Sequence, residues 1–136
     1  MIKRKVATIV FYDSNRFMIQ DRRKISKWGE DYGFFGGAIE NNENAEDAIK
    51  REVKEELSFE TKDFESFIKD IKFIKELDGE VERNVFISKI PNLNNINVIE
   101  GKVKFVSREK IPNLKMVEGD LELLKEINIY LNKIKK

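Results

Sequence analysis

One helix constrains the fold more than any other feature of this sequence. Between Asn44 and Ser58 there is no glycine or proline, and Ile49, Val53 and Leu57 recur at i, i+4 and i+8 as one apolar stripe. Asn44 is a favourable N-cap, so we expect the helix to begin there and to end near Ser58. A helix with one apolar face must bury that face against another layer.

Strand-like segments flank this helix on both sides. Asp78-Gly79 lies between two long apolar runs and predicts a tight hairpin. The expected strands are residues 6–12, 17–19, 32–35, 64–77, 81–90 and 103–106; residues 21–31 form a surface loop, 107–111 a short helical turn capped by Ser107, and 120–136 a closing amphipathic helix. This order predicts an α/β fold with a mixed β-sheet between helices.

Length and composition narrow the possible chemistry. The 136 residues suit one compact domain, residues 1–136. Cysteine and histidine are both absent, which excludes disulfides, thiol nucleophiles and imidazole bases. The 26 basic and 25 acidic residues nearly cancel, so partners that need a strong field, such as nucleic acid or membrane, are not expected. We expect a soluble, cytoplasmic protein whose chemistry uses carboxylates, amines, hydroxyls or a metal.

Three glutamates share one face of the predicted helix. Glu52, Glu55 and Glu56 lie at i, i+3 and i+4, and therefore project in similar directions. The ordinary interpretation is a solvated helix face, but such faces usually alternate charges of opposite sign, and like charges at this spacing destabilise a helix. A divalent cation would relieve the repulsion, and carboxylate oxygens suit Mg²⁺ or Mn²⁺.

The residues around this face extend it into a longer motif. Gly37 is followed by five residues and Glu43, then by seven residues and the segment Arg51-Glu52-Val53-Lys54-Glu55-Glu56-Leu57-Ser58-Phe59. This spacing resembles the Nudix signature G-x5-E-x7-R-E-U-x-E-E-x-G-U, in which U is a bulky aliphatic or aromatic residue. Only Ser58 departs from it. Glycine is usual there because the chain leaves the helix in a left-handed turn, so we expect Ser58 to adopt that turn at some cost or the chain to exit differently.

The resemblance implies a Nudix α/β/α sandwich that hydrolyses a phosphoanhydride bond in a nucleoside diphosphate derivative with the help of Mg²⁺, or of Mn²⁺. It implies that Glu43 pairs with Arg51 and that Arg51 orients a glutamate of the motif. The metal-ligand candidates that it supplies are Glu52, Glu55, Glu56, Gly37 and Glu100, and its candidates for a direct catalytic role are Glu55, Glu52, Arg51 and Glu100. Either Glu55 or Glu100 would accept the proton, although Glu100 is also a plausible turn residue.

The resemblance also implies candidates for substrate binding. Arg22 and Arg23 resemble a phosphate-binding arginine pair, next to Lys24 and Lys27; the alternative is a solvated basic loop. Trp28, or Phe34 or Phe35, could stack on a base, although aromatics here are also expected in a core. Glu118 and Asp120 resemble the position that reads a purine edge, and a plain helix N-cap is the alternative for Asp120.

The expected substrate is a nucleoside triphosphate, cleaved to a monophosphate and pyrophosphate. Alternatives are an ADP-ribose or nucleoside diphosphate sugar hydrolase, a hydrolase of dinucleoside polyphosphates or capped RNA 5′ ends, and a nucleotide-binding module without catalysis. Such modules typically lack carboxylates of the motif, whereas here all three are present. The expected partner is a small nucleotide, and the chain would be a monomer or a homodimer.

Overall fold

A computed structural model of the protein describes residues 2–134. Its helices are α1 (Ala45–Leu57) and α2 (Asp120–Ile134), and its strands are β1 (Ile2–Tyr12), β2 (Arg16–Asp21), β3 (Tyr32–Gly33), β4 (Phe35–Ala38), β5 (Phe64–Ile74), β6 (Gly79–Lys89) and β7 (Lys102–Ser107). The end of the predicted closing helix, residues 135 and 136, lies outside the described residues.

The long strand β1 organises a mixed sheet. On one side it pairs in parallel with β6, and on the other it pairs antiparallel with β4 and, at its end, with β2. β5 adds to the outer side of β6, and β3 and β7 add to β2. β1 begins at Ile2 rather than at Val6 as expected, because the pairing with β6 continues to its charged first residues.

The two helices cover opposite faces of this sheet. Consecutive strand residues point to opposite faces, so Ile87 packs with α2 while Phe86 packs with α1. The same alternation in β2 directs Ile19 towards α2 and Met18 towards α1. The predicted α/β class, with a mixed sheet between helices, is therefore confirmed. No helix within residues 2–134 is long and apolar enough to cross a membrane.

The ends of α1 are those expected from the sequence. The Asn44 side chain accepts a hydrogen bond from the Asp47 N–H at 2.7 Å, which satisfies one of the free donors of the first turn. Ser58 ends the helix with φ 52° and ψ 38°, in the left-handed region. The serine therefore adopts the turn for which glycine is usual.

Three local predictions need correction. Residues 108–110 form bends rather than a helical turn, although the Ser107 hydroxyl accepts a hydrogen bond from the Lys110 N–H, because the Arg108 guanidinium is bound by Asn128, Asn132 and the Asp13 carbonyl. The predicted hairpin is present, since β5 and β6 pair antiparallel, but its connection is a 3-10 turn followed by a left-handed Asp78 rather than a tight two-residue turn. The strand expected at residues 32–35 is divided at Phe34, since its first part pairs with β2 and the part that follows pairs with β1.

Candidate functional site

Glu56 is a carboxylate buried between α1 and β4. Only 2% of the residue is exposed, and its Oε1 accepts a hydrogen bond from the Gly36 N–H at 2.9 Å. Burial raises the pKa of Glu56 to about 8, despite that hydrogen bond, and the charges of Glu52 and Glu100 act in the same direction. A positive charge next to this carboxylate would be strongly favoured.

Glu52 lies one turn earlier on α1 and touches β4. Burial raises its pKa, and the nearby Glu55 and Glu100 charges also raise it, whereas Arg51 lowers it. A Cβ atom at Gly37 would lie 2.6 Å from Glu52 Oε2, so a larger residue there would displace the Glu52 carboxylate from this position.

Arg51 connects the other carboxylates of the motif. Its Nε and Nη2 donate to the two Glu43 oxygens at 2.8 and 3.0 Å, a bidentate contact that lowers the pKa of Glu43 to about 2. Its Nη1 donates to Glu52 and to Glu55, each at 3.0 Å, and Nη2 also donates to the Ala38 carbonyl. The contact expected between Arg51 and Glu43 is present.

The structure does not gather the predicted metal ligands into a formed site. Within residues 2–134, no three acidic side chains converge as a metal-binding group. Glu55 points outwards, with 57% of its side chain exposed, and shares Arg51 with Glu52. The donor set nevertheless suits a hard divalent cation, because Glu52 and Glu56 are withdrawn from water and both sense the charge of Glu100.

A pocket opens beside these carboxylates on the α2 face of the sheet. Its lining includes Gly36 and Gly37, together with Phe34, Arg83 and Asp120. Glu56 bonds to Gly36 and Glu52 touches Gly37, so these two glycines lie between the pocket and the carboxylates of α1, which do not themselves line it.

Arg22 and Trp28, two of the predicted substrate-binding residues, line this pocket. Arg22 is held by Glu30, from Nε to Oε2 at 3.0 Å, and by a contact of Nη1 with the Gln20 side-chain oxygen, and only 17% of its side chain is exposed. Trp28 is more exposed, and the Arg4 guanidinium lies 5.3 Å from the centre of its ring.

Asp120, a further predicted substrate-binding residue, also lines the pocket. The interpretation as an N-cap was wrong, because Asp120 is the first residue of α2 and its Oδ1 lies 3.9 Å from Arg83 Nη1. Burial raises the pKa of Asp120 to about 7, although the neighbouring Arg83 lowers it. Arg83 bonds to Asp70 through Nε and Nη2, at 2.8 and 2.7 Å, whereas its buried Nη1 has no hydrogen-bond partner among the described residues.

Other candidates lie away from this pocket. Arg23 pairs with Asp21 at 2.6 Å and borders a separate depression together with Lys24. Phe35 is buried under α1, and the Glu118 N–H donates to Glu76. Lys27 is exposed on the loop and is not among the residues that line the pocket.

Arg83 was not predicted as a site residue. Its only sequence signal is its position between Val81 and Val85, where the alternation of β6 points a single arginine inwards among apolar residues.

Comparison with known proteins identifies the family. The family model of the NUDIX domain matches residues 1–127. The structure is similar to the E. coli ORF135 protein (17% identity, 100% of this chain and 96% of that chain, TM-score 0.75) and to the MutT NUDIX hydrolase of Burkholderia pseudomallei (16%, 91% and 97%, 0.74). It is also similar to the NUDIX domain of Shewanella oneidensis NrtR complexed with ADP ribose (14%, 96% and 90%, 0.67). No curated protein matches the chain.

These results agree with the motif found in the sequence. The structural likenesses, all at low identity, show a shared fold, and the family model extends over nearly the whole chain. The chain therefore belongs to the Nudix family, hydrolases that act on pyrophosphate bonds and generally use divalent metals.

Proposed function

We propose that the chain hydrolyses a nucleoside triphosphate to a nucleoside monophosphate and pyrophosphate, with Mg²⁺ or Mn²⁺ as its cofactor. The observation that carries this proposal is the pocket, whose lining includes the polar pair Arg83 and Asp120 as well as Gly36 and Gly37, the two glycines that contact Glu56 and Glu52. A base near Arg83 and Asp120 and a phosphate chain near the glycines would occupy it.

The metal would be held by Glu52, Glu55 and Glu56, with Gly37 and Glu100 as further ligand candidates. When bound, a divalent ion neutralises phosphate charge and lowers the pKa of a coordinated water. The burial of Glu56 supports this assignment, because an ionised carboxylate withdrawn from water needs a nearby cation.

The other candidate side chains would contact phosphate, orient the carboxylates or accept a proton. Arg22 would contact phosphate, since Glu30 holds its guanidinium at the pocket wall. Arg51 would orient Glu52 and Glu55, to which it donates hydrogen bonds. The proton acceptor would be Glu55 or Glu100.

In the same pocket, Asp120 and Arg83 would read the edge of the base. The Arg83 Nη1 is a donor without a partner among the described residues, and the Asp120 Oδ1 lies 3.9 Å from it. Trp28 would stack on the base or sugar. Arg23 is the weaker phosphate candidate, because it does not line this pocket and borders a separate depression, where Asp21 engages its guanidinium.

ADP-ribose is the second candidate substrate. The observation in its favour is the similarity to the NrtR domain, which was solved with ADP ribose. Binding without catalysis is disfavoured because Glu52, Glu55 and Glu56 are all retained.

Product analysis with Mg²⁺ or Mn²⁺ tests the proposal across nucleoside triphosphates, ADP-ribose and nucleoside diphosphate sugars. We expect monophosphate and pyrophosphate from a triphosphate. Glu56→Gln, which keeps the shape but removes the charge, should reduce turnover by about a hundredfold or more. The control Glu46→Gln, on an exposed position of α1, should leave turnover unchanged. Preferred turnover of ADP-ribose would support the second candidate, and undiminished activity of Glu56→Gln would refute the assigned site.

A further inference from the structure

β5 is the outermost strand on its side of the sheet. It pairs with β6 along its length, with a bulge between Ser66 and Ile68, and runs without further irregularity from Ile68 to Ile74. The outer edge of such a strand presents backbone N–H and C=O groups that another strand can bind.

This strand also exposes two large apolar residues on one face. Ile71 is 53% exposed and Phe73 is 55% exposed, and residues two apart in a strand point the same way. In the ladder with β6, Ile71 pairs with Glu82 and Phe73 pairs with Glu80. Both side chains therefore point to the face of the sheet on which α1 packs farther along. A partner that extended the sheet would lie against both residues.

We propose that a second copy of this chain pairs antiparallel with β5 about a twofold axis at Ile71. In this arrangement Ile71 faces its own copy, and Ile68 lies opposite Ile74, so the regular part of the strand is used completely. Lys72 lies opposite Asp70 on both sides of the axis, and Phe73 lies opposite the aliphatic stem of Lys69.

The charges on β5 select this register. A pairing centred on Lys69, Asp70 or Lys72 would place two identical charges directly opposite each other on the axis, which is unfavourable. Centring on Ile71 instead creates two pairs of opposite charge. Arg83 holds the Asp70 carboxylate through two hydrogen bonds, which keeps this side chain ordered.

Lysines on an outer strand often prevent unwanted pairing. Here Lys69 and Lys72 would restrict the pairing to one register rather than abolish it, because each lies opposite a favourable residue in the twofold arrangement. The surface is thus complementary to itself, and the partner that it fits is another copy of the chain.

Sedimentation velocity over a wide range of protein concentration tests the proposal. We expect the wild type to change from monomer to dimer, and Ile71→Lys to weaken the dimer by about tenfold or more, because it places two like charges on the axis. Ile129→Lys is the matched control, since Ile129 is 55% exposed on α2 and should leave the equilibrium unchanged. Circular dichroism checks that both variants fold.

Crosslinking tests the register separately. Because the chain contains no cysteine, only the introduced thiol can form a disulfide. Ile71→Cys should form a disulfide-linked dimer on mild oxidation, whereas Lys69→Cys should not, since Lys69 lies opposite Phe73. A wild type that stays monomeric at every concentration, a dimer that is insensitive to Ile71→Lys, or preferential crosslinking through position 69 would each overturn the proposal.

Discussion

Replacement of Ser58 by glycine should raise the free energy of unfolding. Ser58 has φ 52° and ψ 38°, and this left-handed conformation costs an ordinary residue roughly 1–2 kcal/mol. Glycine avoids that cost but loses about 0.5–1 kcal/mol more backbone entropy on folding. The Ser58 N–H donates to the Lys54 carbonyl at 3.0 Å, and glycine retains this bond. The net stabilisation is therefore about 0.5–1 kcal/mol.

Urea unfolding and thermal melting of the two proteins measure this difference, with an expected rise in Tm of roughly 2–4 °C. Asn42→Gly is the control, because Asn42 is also left-handed, with φ 69°, but asparagine tolerates that region better than serine. Its gain should be smaller. Hydrolytic activity should not change, since the Ser58 side chain is exposed. A Ser58→Gly protein that is no more stable than the wild type, or an equal gain from both variants, would refute the strain argument.

Two further changes test other parts of the structure. Gly36→Ala should destabilise the fold by about 3 kcal/mol or more, because φ is 134° and the new Cβ would lie 2.1 Å from the Ala7 carbonyl oxygen; chemical unfolding measures this. Asp120→Asn should change how stability depends on pH. The folded state raises the pKa of Asp120 from 3.8 to about 7, so it binds the proton more tightly than the unfolded chain does. As pH rises from 3.8 to about 7, the free energy of unfolding of the wild type should fall relative to that of the variant by up to about 4 kcal/mol. Urea unfolding at several pH values measures this. A difference that is independent of pH would contradict the assignment.

Local sequence patterns were sufficient to predict both helices. The start of α1 at Asn44 and its end at Ser58 depend on capping and on one apolar stripe, which are short-range effects. The segment after Ser107 was not predictable in this way. The position of its backbone depends on Arg108, which donates hydrogen bonds to Asn128 and Asn132 on a helix that is distant in sequence.

The same distinction applies to the candidate site. Glu52, Glu55 and Glu56 could be grouped from spacing alone because they belong to one helix. The separation of Arg22 from Arg23 could not be predicted, since it depends on which acidic residue holds each guanidinium. Glu30 holds the first at the pocket, and Asp21 holds the second away from it.

The Arg83–Asp120 pair in the pocket depends on contacts between three elements. Arg83 is on β6, Asp70 is on β5 and Asp120 begins α2. Asp120 was predicted from the resemblance, but no local pattern connects it with an arginine on a distant strand.

The parallel pairing of β1 with β6 also has a consequence for synthesis of the chain. The two strands meet along their whole lengths, yet residues 13–78 separate them in sequence. During translation β1 therefore leaves the ribosome well before β6 has been synthesised. Until then the apolar residues Ile9, Val10 and Phe11 of β1 lack this partner strand. Closing so long a loop is slow compared with forming a helix or a hairpin. We expect the unfinished chain to be the form most in need of protection from aggregation.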